Sequence, residues 1–445
     1  MIFRNKQNIQ IIFAITLLLI GGCFFYFFLL DILGPPETPP IPKWAYSRKY
    51  LKPAGMLPEA IPWAQAFWTH KNRLFVTGRS LDHPSGWARY YARQRGWRVE
   101  QVAPLWDPVT GKSIPLKARG YEKNQRNAAS SQFPDGKLLL SYVTGEFIRK
   151  SLHWTHVVYD PDTDTRQSPS PQPIPNEGIL YNLVALKGNR YLYVKYEPIF
   201  FKWHDIQKPH LLLIEGDINK NTETVVMDIQ TPHHGKLIPT PDREHLFFVV
   251  NNCSDPNGSV MGIGDGHVSP CSYIDYIDLK KKTFKTVGSF VGESYKKKDG
   301  NVEVQKNGFG LQSIAMDENR LFAFGGKNSH GLAYKSIELF DLSTKKTQIV
   351  GDLSEELQRL LWVSIPQGMV RLSDGSVVVG TARALYLYNQ KSKKFSKIDE
   401  LILPRGEYAL TVSPDDKVYI VGGFNYHGDP RLIEMFDYKA YLKNK

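Results

Sequence analysis

LPRGEYALTVSPDDKVYIVGG (403–423), followed by LIEMFDY (432–438), decides the fold of this chain. Ala409 to Val412 reads as a short strand, Ser-Pro-Asp-Asp (413–416) as a tight reversal, Lys417 to Val421 as a second strand and Leu432 to Asp437 as a third. Asp, Asn and Gly suit such reversals because they tolerate or bridge the tight backbone between antiparallel strands. The same unit recurs upstream. Its strand runs are RLFVTG (73–78), KLLLSY (137–142), RYLYVKY (190–196), HLFFVV (245–250), RLFAFGG (320–326) and SVVVGT (376–381), each preceded by a turn such as FPDG (133–136) or LSDG (372–375). Its second half recurs as WDPVTGK (106–112), YDPDTDT (159–165), GDINKNT (216–222), IDLKKKTF (277–284), FDLSTKKT (340–347), YNQKSKKF (388–395) and FDYKAY (436–441).

Units spaced by about 40 to about 75 residues, each with room for four short strands, are the signature of propeller blades. The fold expected is all-β: a seven-bladed β-propeller of four-stranded antiparallel blades. With strands named a to d from the axis outward, the last unit has little chain left for d. A strand from residues 43–57 is expected to complete it, which removes the edges an open array would expose.

The last unit resembles a kelch repeat: Pro-Arg (404–405), a small strand, four apolar residues, the pair Gly422-Gly423, then an aromatic before Asp437. The fifth unit, RLFAFGG (320–326) to SIELFDLSTKKT (336–347), is similar. The sixth matches weakly, and the first four lack the Gly pair. The resemblance implies a rigid disc that binds protein or carbohydrate, with a minority of enzymes among its relatives.

Residues 11–30, IIFAITLLLIGGCFFYFFLL, form an uncharged run of 20 positions, about 30 Å long as a helix and long enough to span a bilayer. Arg4 and Lys6 precede it and Asp31 and Glu37 follow. The positive-inside bias therefore places residues 1–10 in the cytoplasm and the propeller outside, in the periplasm if the cell is bacterial. A cleaved signal peptide is one alternative. A lipoprotein modified at Cys23 is another, because Ile20-Gly21-Gly22-Cys23 resembles a lipobox. GPPETPPIP (34–42) belongs to a stiff linker over 31–42, and the propeller domain is expected over 43–445.

Of the 3 cysteines, Cys253 and Cys271 flank a Gly-rich insertion in the fourth unit and are expected to form a disulfide in an extracytoplasmic compartment. Asp255, Asn257 and Asp265 lie in the same insertion with a spacing unlike an EF-hand loop, and turn chemistry accounts for them.

Antiparallel blades send the b-to-c and d-to-a connections to one face and the a-to-b and c-to-d turns to the other. The b-to-c connections are the long, varied ones, so function is expected on their face. There, GGKNSHG (325–331) and GGFNYHG (422–428) share Gly-Gly-x-Asn-x-His-Gly. The two loops flank a sixth unit whose own connection is only Thr381-Ala382-Arg383-Ala384. Asn328, His330, Arg383, Asn425, Tyr426 and His427 are therefore the candidate ligand-binding residues, for a peptide or glycan lying in that notch. No metal site is expected, because the loops belong to non-adjacent blades.

The formal net charge of +12 includes GWARYYARQRGWR (86–98), where Arg89, Arg93, Arg95 and Arg98 alternate with aromatic residues including Trp87. Such mixtures suit anionic lipid or an acidic polymer, while the outward orientation argues against nucleic acid. A second basic run, Lys280 to Lys282 with Lys285, reads as solvated turn residues. No nucleophile elbow, HExxH, Walker loop or dinucleotide fingerprint is present, and no cofactor is expected. His153 and His156 in HWTH (153–156) are placed on a strand, where three-residue spacing gives them no common face. The reading that results is a membrane-anchored binding or scaffold module for a protein or glycan. The alternative is a carbohydrate-active enzyme of lyase, hydrolase or epimerase type with a site at the disc centre.

Overall fold

Among the described residues, 28 strands form seven four-stranded antiparallel sheets. The computed structural model describes residues 41–58, 61, 64–78, 104–114, 116, 126–144, 153–167, 179–196, 210–220, 222–230, 233–253, 273–290, 312–324, 336–353, 368–423 and 431–444. The chain divides into two units, and the propeller is the one made of Pro42–Arg79 and Val102–Lys445.

Blade 1 runs from Ala64–Trp68 (strand a) through Leu74–Gly78 and Leu105–Asp107 to Lys112–Ile114. Blade 6 shows the pattern most simply: Gly368–Arg371, Val377–Gly380, Ala384–Asn389 and Lys394–Glu400. Blade 7 has Ala409–Val412, Lys417–Val421 and Leu432–Asp437 in sequence, and its outermost strand is Leu51–Met56, paired antiparallel with Leu432–Asp437 from Leu51 opposite Phe436 to Met56 opposite Leu432. Pro53 is tolerated in Leu51–Met56 because that strand is an edge, where a missing N–H costs no ladder bond. A register shift follows it between Pro53 and Gly55. The same irregularity recurs between strands c and d of blades 3 to 6. Bulges of this kind twist the outer edges away from pairing with another sheet.

One polar device repeats at the end of strand c. The side chain of Asp107, Asp160, Asp217, Asp278, Asp341 or Asn389 accepts a hydrogen bond at 2.8–3.0 Å from the backbone N–H two or three residues on. In five of these six turns a left-handed residue follows: Gly111, Asp164, Lys282, Lys345 or Lys393. Asx geometry closes the turn without help from packing. In blade 7 the corresponding Asp437 meets no following strand d and instead caps the helix Tyr438–Lys443, accepting from the Ala440 amide at 2.9 Å.

The core is divided into seven apolar layers, and each lies between two consecutive blades. Val378, Leu385 and Leu387 of blade 6 meet Val418, Ile420 and Phe436 of blade 7, with Leu51 joining from the closing strand. Tyr419, Val421 and Ile433 of blade 7 meet Leu74, Val76 and Trp106 of blade 1, which closes the ring. The remaining five layers fill the other interfaces. Strand b is therefore buried on both faces, as in Val377–Gly380. Each fully buried Val, Leu or Phe contributes about 1.5–3 kcal/mol, so stability is spread round the ring.

On the a-to-b face, side chains staple neighbouring blades through the ends of their inner strands. Gln132 donates to the Trp68 carbonyl, and Arg243 donates to the carbonyls of Gln132 and Ala185 at 2.7 and 2.5 Å. Arg371 reaches the Met316 carbonyl at 2.5 Å, and Asp416 accepts from the Ser373 amide at 2.9 Å. No helix among the described residues is long and apolar enough to cross a membrane. Residues 11–30 lie outside the described residues, as do residues 1–10 and 31–40.

Candidate binding face

The short corner of blade 6 and the connection from blade 6 to blade 7 form the best-defined part of the b-to-c face. Within the corner, the Thr381 amide donates to the Ala384 carbonyl at 2.9 Å, and the Thr381 hydroxyl accepts from the Ala384 amide at 3.0 Å. The connection then grips it from outside. The Leu401 amide donates to the Arg383 carbonyl at 2.6 Å, the Arg405 amide to the Ala382 carbonyl at 2.9 Å, and the Tyr408 hydroxyl to the Thr381 carbonyl at 2.8 Å. Both backbone sides of the corner are held. The Arg383 side chain is exposed at its tip.

Two features of sequence make this approach possible. Gly380 lies beneath the Tyr408 hydroxyl so closely that a Cβ there would overlap it. Gly422 and Gly423, with φ of +66° and +97°, turn strand b of blade 7 between the Ile61 carbonyl and the Gly406–Tyr408 segment. A Cβ on Gly422 would lie 2.5 Å from the Ile61 oxygen, and one on Gly423 would lie 2.7 Å from the Gly406 oxygen. The second amide uses that approach, since Gly423 donates to the Ile61 carbonyl at 2.8 Å. The Gly pair thus sets where the 424–430 connection leaves the blade.

Beneath the corner lies a buried ion pair that ties the connection to strand c of blade 7. Arg405 and Glu434 are both 0% exposed at their side chains and 3.2 Å apart. Arg405 also donates to the carbonyls of Leu432 at 2.6 Å and Ile420 at 3.2 Å. Glu434 accepts from the amides of Ile402 at 2.7 Å and Leu403 at 3.1 Å. Burial pushes the Glu434 carboxyl up from its ordinary pKa, against the pull of Arg405 and the two amides. Reading the sequence identified Pro404-Arg405 as part of a repeat but not this role, whose partner lies 29 residues away.

A second titratable cluster lies between blades 2 and 3. Glu223 on strand Thr222–Gln230 accepts from the hydroxyls of Tyr191 at 2.6 Å and Tyr193 at 3.0 Å, both on Arg190–Tyr196. His156, on His153–Asp160, packs its ring against both tyrosines, with centroids at 5.2 and 5.5 Å. Its Nε2 is 3.7 Å from Glu223, and its buried Nδ1 has no hydrogen-bond partner among the described residues. Burial lowers the His156 pKa and outweighs the opposing charge of Glu223. Burial, with the Glu223 carboxylate next, raises both tyrosines. The cluster is sealed inside the layer, with His156 only 8% exposed, so it reads as a polar strut between blades.

Of the residues expected to bind ligand, Arg383 is described, while Asn328, His330, Asn425, Tyr426 and His427 lie outside the described residues. The basic aromatic segment with Trp87, Arg89, Arg93, Arg95 and Arg98 also lies outside them, as does Cys271, the expected partner of Cys253. Cys253 ends strand b of blade 4, His245–Cys253. Lys280 to Lys282 occupy the c-to-d turn before Thr283–Ser289, on the face opposite Arg383. The seven inner strands carry no Asp or Glu, and their charged positions are Arg126, Lys236 and Arg371.

The arrangement defines the chain as a seven-bladed β-propeller. No protein-family model and no curated protein sequence matches it. Solved structures share the fold. A fungal alcohol oxidase of the AA5 family, in complex with copper, is 12% identical with a TM-score of 0.54, over 87% of this chain and 76% of its own. An oligogalacturonate lyase in complex with manganese is 13% identical with a TM-score of 0.51, over 86% and 91%. An oligogalacturonate lyase from Vibrio parahaemolyticus is 13% identical with a TM-score of 0.50, over 86% and 92%. At such identities the likeness concerns the fold. Among the described residues of this chain, no three His, Cys, Asp or Glu side chains come together to hold a metal ion.

Proposed function

We propose that this chain is a membrane-tethered, kelch-like propeller that presents its b-to-c face outside the cytoplasm to a protein or glycan partner. The observation that carries the reading is the corner of blade 6. Its backbone is held from both sides, Arg383 is exposed at its tip, and the connections of blades 5 and 7 that flank it are longer. A rigid low point with one projecting guanidinium suits a carboxylate, a sugar hydroxyl or a peptide carbonyl. Asn328, His330, Asn425, Tyr426 and His427 would supply the walls. The inner strands carry no carboxylate, and their possible acid–base side chains are His233, His234 and Lys236 on His233–Pro239.

The test uses the full chain in lipid nanodiscs on a glycan array and with a photo-crosslinker placed at position 383 or, on the opposite face, at position 109. Specific adducts or glycan binding through position 383, weakened at least tenfold by Arg383→Glu and by His330→Ala/His427→Ala, are expected. Variants that melt like the parent and bind at full strength, or equal labelling at 109 and 383, would refute the reading.

A further inference from the structure

Two segments far apart in sequence meet on the outer wall of blades 6 and 7. Tyr50, just before the closing strand, packs edge-on against Tyr441 of the helix Tyr438–Lys443, with ring centroids 4.9 Å apart. Arg48 lies 3.7 Å from Asp399 and donates to the Glu400 carbonyl at the end of blade 6's outer strand. On these same two segments, Trp44, Tyr46 and Leu442 stand 52%, 59% and 47% exposed. These are three of the few large apolar side chains the described residues leave to solvent. Lys43, Lys49, Lys439 and Lys443 are exposed beside them. Cations also sit over the rings themselves: the Arg48 guanidinium lies 5.2 Å from the Trp44 centroid and the Lys49 ammonium 4.8 Å from that of Tyr50. The nearby carboxylates are engaged, Asp399 with Arg48, Glu400 with Lys397 at 3.0 Å and Asp437 with the helix it caps.

We infer that this patch is a contact with the surface of a bilayer containing anionic lipid. The inference rests on reading residues 11–30 as a membrane span. Trp and Tyr, apolar in body and polar at the tip, favour the headgroup layer, and lysines beside them pair with lipid phosphates. Residues 31–43, fully extended, reach no more than about 45 Å, so a span at 11–30 would hold Trp44 near the surface. The patch joins a stretch next to the linker with a helix from the far end of the ring, and only the folded blade 7 brings them together.

The test places benzoylphenylalanine singly at positions 46, 442 and 225 of the full chain. Val225, 51% exposed on the outer strand of blade 3, serves as control. Each protein is reconstituted in vesicles of phosphatidylcholine, with or without phosphatidylglycerol, and lipid adducts are measured by mass spectrometry alongside flotation. Adducts at 46 and 442 are expected to exceed those at 225 several-fold, to rise with phosphatidylglycerol, and to fall with salt or in Lys439→Glu/Lys443→Glu. Equal adducts at all three positions in a chain that floats and resists carbonate would overturn the contact and leave the span standing. Carbonate extraction together with strong adducts at 46 and 442 would overturn the span and support the contact. A chain that neither floats nor forms adducts would overturn both.

Discussion

Replacing Arg405 with Met should cost the propeller about 3–5 kcal/mol, the range for removing one partner of a fully buried ion pair. The structure shows where that comes from. The guanidinium satisfies the carbonyls of Leu432 and Ile420 and one oxygen of Glu434, all without access to water. Met fills the same space but leaves the Glu434 carboxylate with two amides and, for counter-charge, only Arg48. Each stranded acceptor adds about 1–3 kcal/mol at most, and relaxation recovers part of the sum. Replacing Glu434 as well, in Arg405→Met/Glu434→Gln, should return some of the loss, because Gln carries no charge and its single amide oxygen can still accept from one of the two amides, Ile402 or Leu403. The exposed pair Lys397–Glu400, 3.0 Å apart with side chains 37% and 58% accessible, provides the contrast: Lys397→Met should cost less than about 1 kcal/mol. Guanidinium midpoints of the detergent-solubilised full chain, compared at constant slope, check this. If Arg405→Met matches Lys397→Met within about 1 kcal/mol, the conclusion that the pair clamps the connection to blade 7 is wrong.

Two further outcomes follow from the packing. Gly380→Ala would drive a Cβ into the Tyr408 hydroxyl and break its bond to the Thr381 carbonyl, costing about 1–3 kcal/mol. Tyr408→Phe, which removes the overlapping atom, should recover part of that cost in thermal denaturation, and failure to do so would mean that the corner yields elsewhere. Burial lowers the His156 pKa below its ordinary 6.5, so below about pH 6.5 the unfolded chain takes up a proton that the folded chain refuses. This term should therefore erode stability as pH falls, by up to about 1.4 kcal/mol per pH unit until the folded value is reached. His156→Gln should show a shallower decline in denaturant midpoint between pH 7.5 and 5.5, and an unchanged slope would exclude His156 as the source.

How much of this was legible depended on whether the signal was local. The turn Ser413–Asp416 and the strands on either side of it are readable because each uses neighbouring residues: a tight turn whose Ser413 hydroxyl accepts from the Lys417 amide, then four apolar positions. The same holds for Asp341 and Asn389 at the ends of strand c, whose carboxyl or amide oxygen binds amides two or three residues away. The outer strands are harder to read. Thr283–Ser289 and Lys394–Glu400 alternate polar residues and carry a bulge, so neither hydrophobicity nor even spacing marks them. The candidate site was legible as a contrast in loop length, with Arg383 at its centre. The props beneath it were not, because Glu434, Gly380 and Tyr408 come from separate stretches and meet only in the fold. His156 is similar: on its strand it looks like one of an unremarkable pair, and its partners Tyr191, Tyr193 and Glu223 belong to the next blade.

Leu51–Met56 also bears on the order of events during synthesis. Its hydrogen-bonding partner, Leu432–Asp437, leaves the ribosome only after the intervening blades. Six blades have all four of their strands in hand as they emerge, whereas the first strand of the domain must wait unpaired for its neighbour. If residues 11–30 hold the chain in a bilayer, that waiting strand is moored at a fixed point and the growing arc must swing back to it. The tether would then shorten the search that closes the circle, and release of the chain from its mooring should slow the last folding step while leaving the earlier blades unaffected.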